Sequence, residues 1–305
     1  MAVARVDVRA RPRPAGGKRS VPTVVGRVFL FLFAVYCALP IYWLLASSTK
    51  TTHQLFSMNG LLFPLTLRGF WDNLVRTFTF GHGEFGIWLV NSVVYSGAAA
   101  IVGVGIAGLA GYALAFHQFK GRRGVRACIV GAMMLPSSAL VIPIYLINVD
   151  LLHLQNSPLA FVLPCLVSPA AAYFMWTYYG RAVPTELLDA GRIDGASEKR
   201  LVWEVTRGVA LPGALTMAVI VFIVTWNNFF LALIVLNSSN RFTATVGLVQ
   251  WVTVLSGASA GVGSGAISYP QIITGALVSL VPLMALLVGM RHKIAAGMTL
   301  GSVKG

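Results

Sequence analysis

Charged side chains are what this 305-residue chain has least of: 23 Lys and Arg with nine Asp and Glu make 10 per cent of the residues, against 57 per cent apolar. A soluble domain carries about 25 per cent charge. With so few polar groups the chain cannot cover itself against water, so the bilayer is its main solvent. The net charge of +14 does not imply nucleic acid, because that reading needs bases gathered on a folded face beside base-reading groups. Cys37, Cys128 and Cys165 stand alone, with neither paired nor metal spacing, and read as small buried apolar residues. His53, His82, His117, His153 and His292 are scattered, and no two have the i, i+4 spacing of a helical metal site. A phosphate loop is missing too, since the one Gly-Lys pair, Gly17-Lys18, is followed by Arg19. No Ser/His/Asp constellation can be assembled. The sequence therefore predicts no catalytic residue, no bound metal and no cofactor on this chain, and no nucleic-acid partner.

What the chain has in abundance is uncharged length. Between Arg27 and Lys50 lie 22 uncharged residues, between Glu84 and Lys120 lie 35, and between Arg126 and Asp150 lie 23. Leu151 to Gly180 gives 30, Gly208 to Asn240 gives 33, and Phe242 to Met290 gives 49. Each exceeds the roughly 20 apolar residues that a helix needs to cross the hydrocarbon. In the last, Ser256 to Ala266 is Gly, Ser and Ala, so its span begins at Ile267. The prediction is an all-α, six-span membrane protein, with spans near 28–48, 88–116, 127–148, 158–179, 212–236 and 267–290. None of these spans holds Asp, Glu, Lys or Arg, the groups that carry coupling charge in proton-driven pumps and carriers. Any energy coupling must come from another subunit.

Lys and Arg accumulate on the cytoplasmic side of a membrane. With residue 1 inside, 19 of the 23 bases fall in internal segments and four, Lys50, Arg68, Arg76 and Arg241, fall outside. Both termini are therefore expected in the cytoplasm, residues 1–27 as a basic disordered tail and 291–305 as a second tail. A cleavable signal is excluded, because the first apolar run continues through aromatics and Pro40. Gly103, Gly105 and Gly108 match a dinucleotide pattern but sit mid-span with no strand before them. Close helix packing along Gly103, Ala107 and Gly111 explains them better.

One internal segment breaks the pattern. Residues 181–207 hold five bases and five acids. Pro184 suits a first helical turn and Gly195 the left-handed residue past a helix end, which predicts a helix over Pro184–Asp194, about 16 Å long. Glu186 lies near its positive end and Arg192 near its negative end. One face carries Leu187, Ala190, Gly191 and Asp194, the small pair leaving room for another surface. Such a helix is too short and too charged to cross, so it lies along the cytoplasmic face.

The stretch Pro184 to Ser197 resembles the EAA loop of ABC importer permeases, in particular the carbohydrate-type branch that includes the smaller permease of maltose importers. Further similarity lies in Pro40, Ser47 and Lys50, in Asn91-Ser92, in Gly111 to Ala115 with Phe119-Lys120-Gly121, in Leu135-Pro136 and Ile142 to Tyr145, in Trp226 to Phe230, and in the tail from Ala296 to Gly305. The resemblance implies that Glu186, Leu187, Asp189, Ala190, Gly191, Asp194, Gly195 and Ala196 form a coupling helix that docks on an ATPase dimer. It likewise implies that Thr299, Gly301 and Lys304 touch that ATPase from the tail. A second permease subunit, forming a heterodimer, and an extracytoplasmic substrate-binding protein are implied partners, with ATP and Mg on the ATPase and membrane lipid around the spans. Two departures stand out. The family's Glu-Ala-Ala is Asp189-Ala190-Gly191, which loosens the helix by ~1 kcal/mol, and its Leu-Pro is Arg207-Gly208, while Pro212 matches the next proline.

Asn91, Ser92, Trp226 and Asn227 are candidate translocation-path residues, since sugars need hydrogen-bonding amides and a flat aromatic face. Interhelical hydrogen bonding accounts for them equally well. The aromatic residues between Thr51 and Glu84 form either a small folded cap or an interfacial belt. Ser256 to Ala266 reads as a linker. A non-transporting membrane scaffold and a channel or secondary carrier are the alternatives to an importer subunit.

Overall fold

In hydrocarbon every backbone polar group must be satisfied within the chain, so uncharged runs of this length fold as helices. A computed structural model describes residues 21–57, 65–257 and 267–299 and has no strand among them. Five helical stretches are long and apolar enough to cross a membrane: Val24–Ser47, Leu67–Phe116, Pro158–Ala182, Glu198–Trp226 and Tyr269–Arg291. A bent pair of helices makes a sixth if the two count as one span.

Helix α1 (Val21–Ser47) lies almost wholly exposed until Ala46, and leans on α15 (Tyr269–Thr299). Short α2 (Thr52–Phe56) follows, closed by a reciprocal pair of bonds between Thr51 and Gln54. Helix α3 (Leu67–Thr79) is folded onto the bundle. Asn73 donates to the carbonyls of Ser48 and Lys50, both at 2.9 Å, and the Thr77 hydroxyl donates to the Gln271 carbonyl at 3.1 Å. The aromatics between Thr51 and Glu84 divide accordingly: Phe78 and Phe80 meet Phe85 and Trp251 edge to face, while Phe56 and Trp71 stay exposed. Gly81, His82 and Gly83 take left-handed φ of 60°, 59° and 86° and turn the chain sharply into α4 (Glu84–Ala98).

Helix α4 passes through a π segment, Ala99–Gly103, into α5 (Val104–Phe116). Against α5 lies α9 (Pro169–Ala182), which follows α8 (Pro158–Leu166) after a two-residue break. A Cβ on Gly111 would stand 2.7 Å from the Met175 Cβ and the Trp176 nitrogen, and one on Gly103 would stand 2.8 Å from the Leu166 carbonyl oxygen. Ala107 between them is 3 per cent exposed. Gly105 and Gly108, by contrast, face open space. The small-residue stripe lets two backbones touch, as expected.

The stretch expected as a third span is broken: α6 (Arg122–Met133) and α7 (Ser137–Leu146) meet at 107°. Pro136 lacks an amide proton and disfavours helix at Leu135, so the turn cannot propagate. Helix α10 (Thr185–Ile193) is the short charged one, and α11 (Glu198–Arg200) leads through a π segment, Leu201–Thr206, straight into α12 (Arg207–Trp226). Arg207-Gly208 is helical. Helix α12 ends at Asn227 and α13 (Phe229–Val235) continues against α7 and α8, so the fifth predicted span, 212–236, is also two pieces. Helix α14 (Ala244–Leu255) had no counterpart in the sequence reading. It packs its Gly247 against the Trp88 ring and its Trp251 between Phe80, Phe85 and Trp88.

Candidate functional site

The charged segment after α9 is shaped by its own termini. Pro184 holds φ −62° and ψ 137°, extended geometry that stops α9 and leads into α10. At the other end Gly195 takes φ +77°. Its amide donates to the Arg192 carbonyl at 3.0 Å, and the Ala196 amide to the Gly191 carbonyl at 2.9 Å. This pair of bonds is the Schellman closure, which a left-handed residue past the helix end makes possible. The helix is therefore nine residues, with Pro184 and Asp194 as its caps rather than its first and last turns.

One residue of α10, Leu188 at 1 per cent exposure, is buried; it belongs to the bundle's main buried cluster with Val183, Tyr179, Tyr112 and Leu201. Glu186, Leu187, Asp189, Ala190 and Asp194 are exposed. Gly191 is turned inward: a Cβ there would come within 2.6 Å of the fully buried Leu201 Cδ2. An alanine at this position would press on Leu201, so glycine here suits the chain's own packing. Ala196 is half-buried against the same cluster. Ile193, which the sequence reading passed over, is 87 per cent exposed, the most exposed apolar side chain of the loop. Its signal was available: a β-branched apolar residue in the last turn of a charged surface helix.

Charges link the loop to the bundle. Arg192 Nη1 meets Asp189 Oδ1 at 3.1 Å, and Arg192 Nη2 meets Glu198 Oε1 at 3.3 Å. Glu198 Oε2 accepts the Tyr112 hydroxyl proton at 2.9 Å and lies 3.5 Å from His117 Nε2. The slight burial of Arg192 works against its charge, but the hydrogen bond and charge of Glu198 and the hydrogen bond to Asp189 outweigh it and raise its pKa. Asp189 is engaged by Arg192 of its own chain and stays 65 per cent exposed.

The candidate path residues fall in two places, Asn91 and Ser92 on α4 and Trp226 and Asn227 at the end of α12. Asn91 Nδ2 donates to the Asn240 and Phe242 carbonyls, both at 3.0 Å, and Ser92 Oγ accepts the Ala244 amide at 2.8 Å. With Glu84 on Ser239 Oγ, Trp88 Nε1 on the Ser239 carbonyl and Tyr95 on the Arg241 carbonyl, they form one face of α4 that binds residues 239–244. Trp226 is 3 per cent exposed and stacks on Phe222 at 5.7 Å. Asn227 alone of the four is exposed, at the break between α12 and α13, its amide donating to the Ile223 carbonyl. Neighbouring Asn228 donates to Cys165 Sγ at 3.7 Å, joining that break to the end of α8. Of the tail residues, Thr299 ends the last helix, while Gly301 and Lys304 lie outside the described residues. Among the described residues no three His, Cys, Asp or Glu gather as a metal site would require.

Residues 103–292 match the family described as "Binding-protein-dependent transport system inner membrane component". The chain is 30 per cent identical over 282 residues to the arabinooligosaccharides transport system permease protein AraQ of Halalkalibacterium halodurans, covering 92 per cent of this chain and 95 per cent of that one. It is 29 per cent identical to the trehalose transport system permease protein SugB of Mycobacterium tuberculosis, over 88 and 93 per cent of the two chains. Against the lactose transport system permease protein LacG of Rhizobium radiobacter it is 29 per cent identical over 94 and 98 per cent. In fold it is similar to a chain of a bacterial ABC transporter involved in the import of the acidic polysaccharide alginate, with a TM-score of 0.76 at 20 per cent identity, covering 92 per cent of this chain and 99 per cent of that one. Matched over more than half its length, the chain belongs to the binding-protein-dependent inner membrane components: it is a multi-pass permease subunit of an ABC importer, a transport subunit in a system whose ATPase is a separate subunit.

Proposed function

We propose that this chain is one half of a heterodimeric sugar permease, with both termini in the cytoplasm. A second permease subunit supplies the other half, an ATPase dimer carrying ATP and Mg drives the pair, and an extracytoplasmic binding protein delivers solute. The observation that carries this reading is α10: a nine-residue helix bounded by Pro184 and closed at Gly195, held by Leu188, with Leu187, Asp189, Ala190 and Ile193 turned outward. A helix so anchored moves as a rigid lug. Closure of an ATPase dimer displaces it, and rocking of the spans opens the path alternately to each side. Thr299, Gly301 and Lys304 add a second contact with the ATPase from the tail.

The path runs past the breaks between α12 and α13 and between α8 and α9. Discontinuous helices there free backbone groups at membrane depth, which is tolerated where they line a cavity, and exposed Asn227 offers an amide to a hydroxylated solute. Asn91 and Ser92 hold the chain beyond α13 through residues 240–244, and Trp226 lies buried beside Asn227. Sugar as the substrate class rests on the relatives, which are named for arabinooligosaccharide, trehalose and lactose transport.

The test is co-expression of the chain with its genomic neighbours and purification on a tag carried by this chain, to see whether an ATPase and a second six-span chain come with it. The expected result is one complex holding all three, which takes up a sugar from a panel of arabinotriose, trehalose and lactose in proteoliposomes supplied with ATP and the binding protein. Recovery of a lone homomer without ATPase would overturn the reading.

A further inference from the structure

Helix α10 is joined covalently to α9 before it and, through α11, to α12 after it. Helix α5 is joined to neither, yet its cytoplasmic end reaches the loop. Tyr112, 86 residues before Glu198, donates its hydroxyl to that carboxylate at 2.9 Å. The opposite oxygen of Glu198 receives Arg192 of α10, which in turn holds Asp189. The Tyr112 ring is 4 per cent exposed and is fixed edge to face by Phe116 at 5.3 Å and Tyr179 at 5.8 Å. Helix α5 itself cannot slide independently. Gly111 seats it on the α9 backbone, and Arg122 and Arg126 of α6 both donate to the Leu114 carbonyl, at 2.7 and 2.5 Å. Arg126 also lies over the Trp176 ring at 4.4 Å.

We infer that Tyr112, Glu198 and Arg192 are positioning residues that carry the displacement of the coupling helix into the end of α5 next to the loop, a second link beside the one that α9 provides by being joined to α10. The inference rests on the coupling role proposed for α10. Exposed ion pairs contribute little, but a hydrogen bond to a charged group from a buried, ring-packed tyrosine is both stronger and geometrically fixed. Arg192 turns with α10 and carries Glu198 with it. Glu198 pulls on a side chain that cannot rotate without unseating Phe116 and Tyr179.

The experiment uses the purified complex in lipid nanodiscs and needs no transport substrate. Amide hydrogen exchange is followed in the nucleotide-free complex and in the complex trapped with ATP and vanadate. In the unaltered complex, trapping changes exchange in the 185–200 segment and in the 109–117 segment together. In Y112F, which removes one oxygen, the change at 185–200 persists and that at 109–117 falls about threefold or more, while ATPase recovery and ATP hydrolysis are retained. E198A, at a side chain 51 per cent exposed, gives the same loss without threatening the fold, and the double variant is no worse than the larger single effect because both act on one link. A 109–117 response that is absent in the unaltered complex, or that survives both single variants, overturns the inference alone. Failure to recover any ATPase overturns the importer reading and this inference with it.

Discussion

Replacing Gly111 with alanine tests the packing on which the proposed transmission depends. An added Cβ would stand 2.7 Å from the Met175 Cβ and the Trp176 nitrogen and 2.8 Å from the Met175 carbonyl carbon. Carbon atoms rest at about 3.5–4.0 Å, so α5 and α9 must part by roughly 1 Å, and most of what resists is backbone. Overpacking of this kind costs about 1–3 kcal/mol. Alanine returns about 0.8–1 kcal/mol of helix propensity, leaving Gly111→Ala between neutral and about 2 kcal/mol destabilised. The control is on the same helix: Gly108 has nothing within 4 Å of its built Cβ, so Gly108→Ala keeps the propensity gain without the clash. Subtracting one variant from the other cancels propensity and isolates packing, about 1–3 kcal/mol. Unfolding of both in mixed detergent micelles, followed by circular dichroism against the unaltered protein, measures that difference. Equal shifts for the two variants would refute the close approach of α5 and α9.

Gly247→Ala should be more damaging, since its Cβ would fall within 2.5 Å of three ring atoms of Trp88, itself 1 per cent exposed; a loss of about 2 kcal/mol or more with a red shift of tryptophan emission is expected, and an unchanged spectrum counts against the α4–α14 contact. Gly195 meets no packing at all, only a φ of +77°, so Gly195→Val should cost roughly 1–2 kcal/mol in backbone strain and lower ATPase recovery at unchanged membrane yield, with Gly195→Asn intermediate; equal recovery for both would show that the left-handed closure is dispensable. Ser92→Ala leaves the Ala244 amide without its acceptor at about 1–3 kcal/mol, and Ser92→Thr should restore stability in the same thermal assay.

Much of α10 was legible from residues adjacent in the chain. Pro184 and Gly195 act through their own backbone dihedrals, and the density of charge between Arg181 and Arg207 forbids burial, so a short surface helix followed from local chemistry alone. The face of Gly103, Ala107 and Gly111 was legible for the same reason, because spacing by four residues aligns small side chains along one helix. Pro136 was visible, but the 107° turn it permits was not, since a proline within an apolar run can kink a span slightly or break it outright. Helix α14 was hidden inside a 49-residue uncharged run whose length exceeds one crossing, where composition does not say which part packs inward. Asn91 and Ser92 stand out by their hydrogen-bonding chemistry, which the fold uses on carbonyl and amide groups about 150 residues away.

Scarcity of charge, the length of uncharged runs and the placement of Pro and Gly were enough by themselves to dictate an all-helical membrane chain with one charged surface helix, because solvation by lipid and backbone dihedrals are local constraints. Which groups meet was decided by tertiary structure: Gly191 against Leu201, Asn91 and Ser92 on residues 240–244, and Tyr112 on Glu198. Hydrogen bonds and close contacts need positions held to within an ångström. Only the packed bundle supplies that.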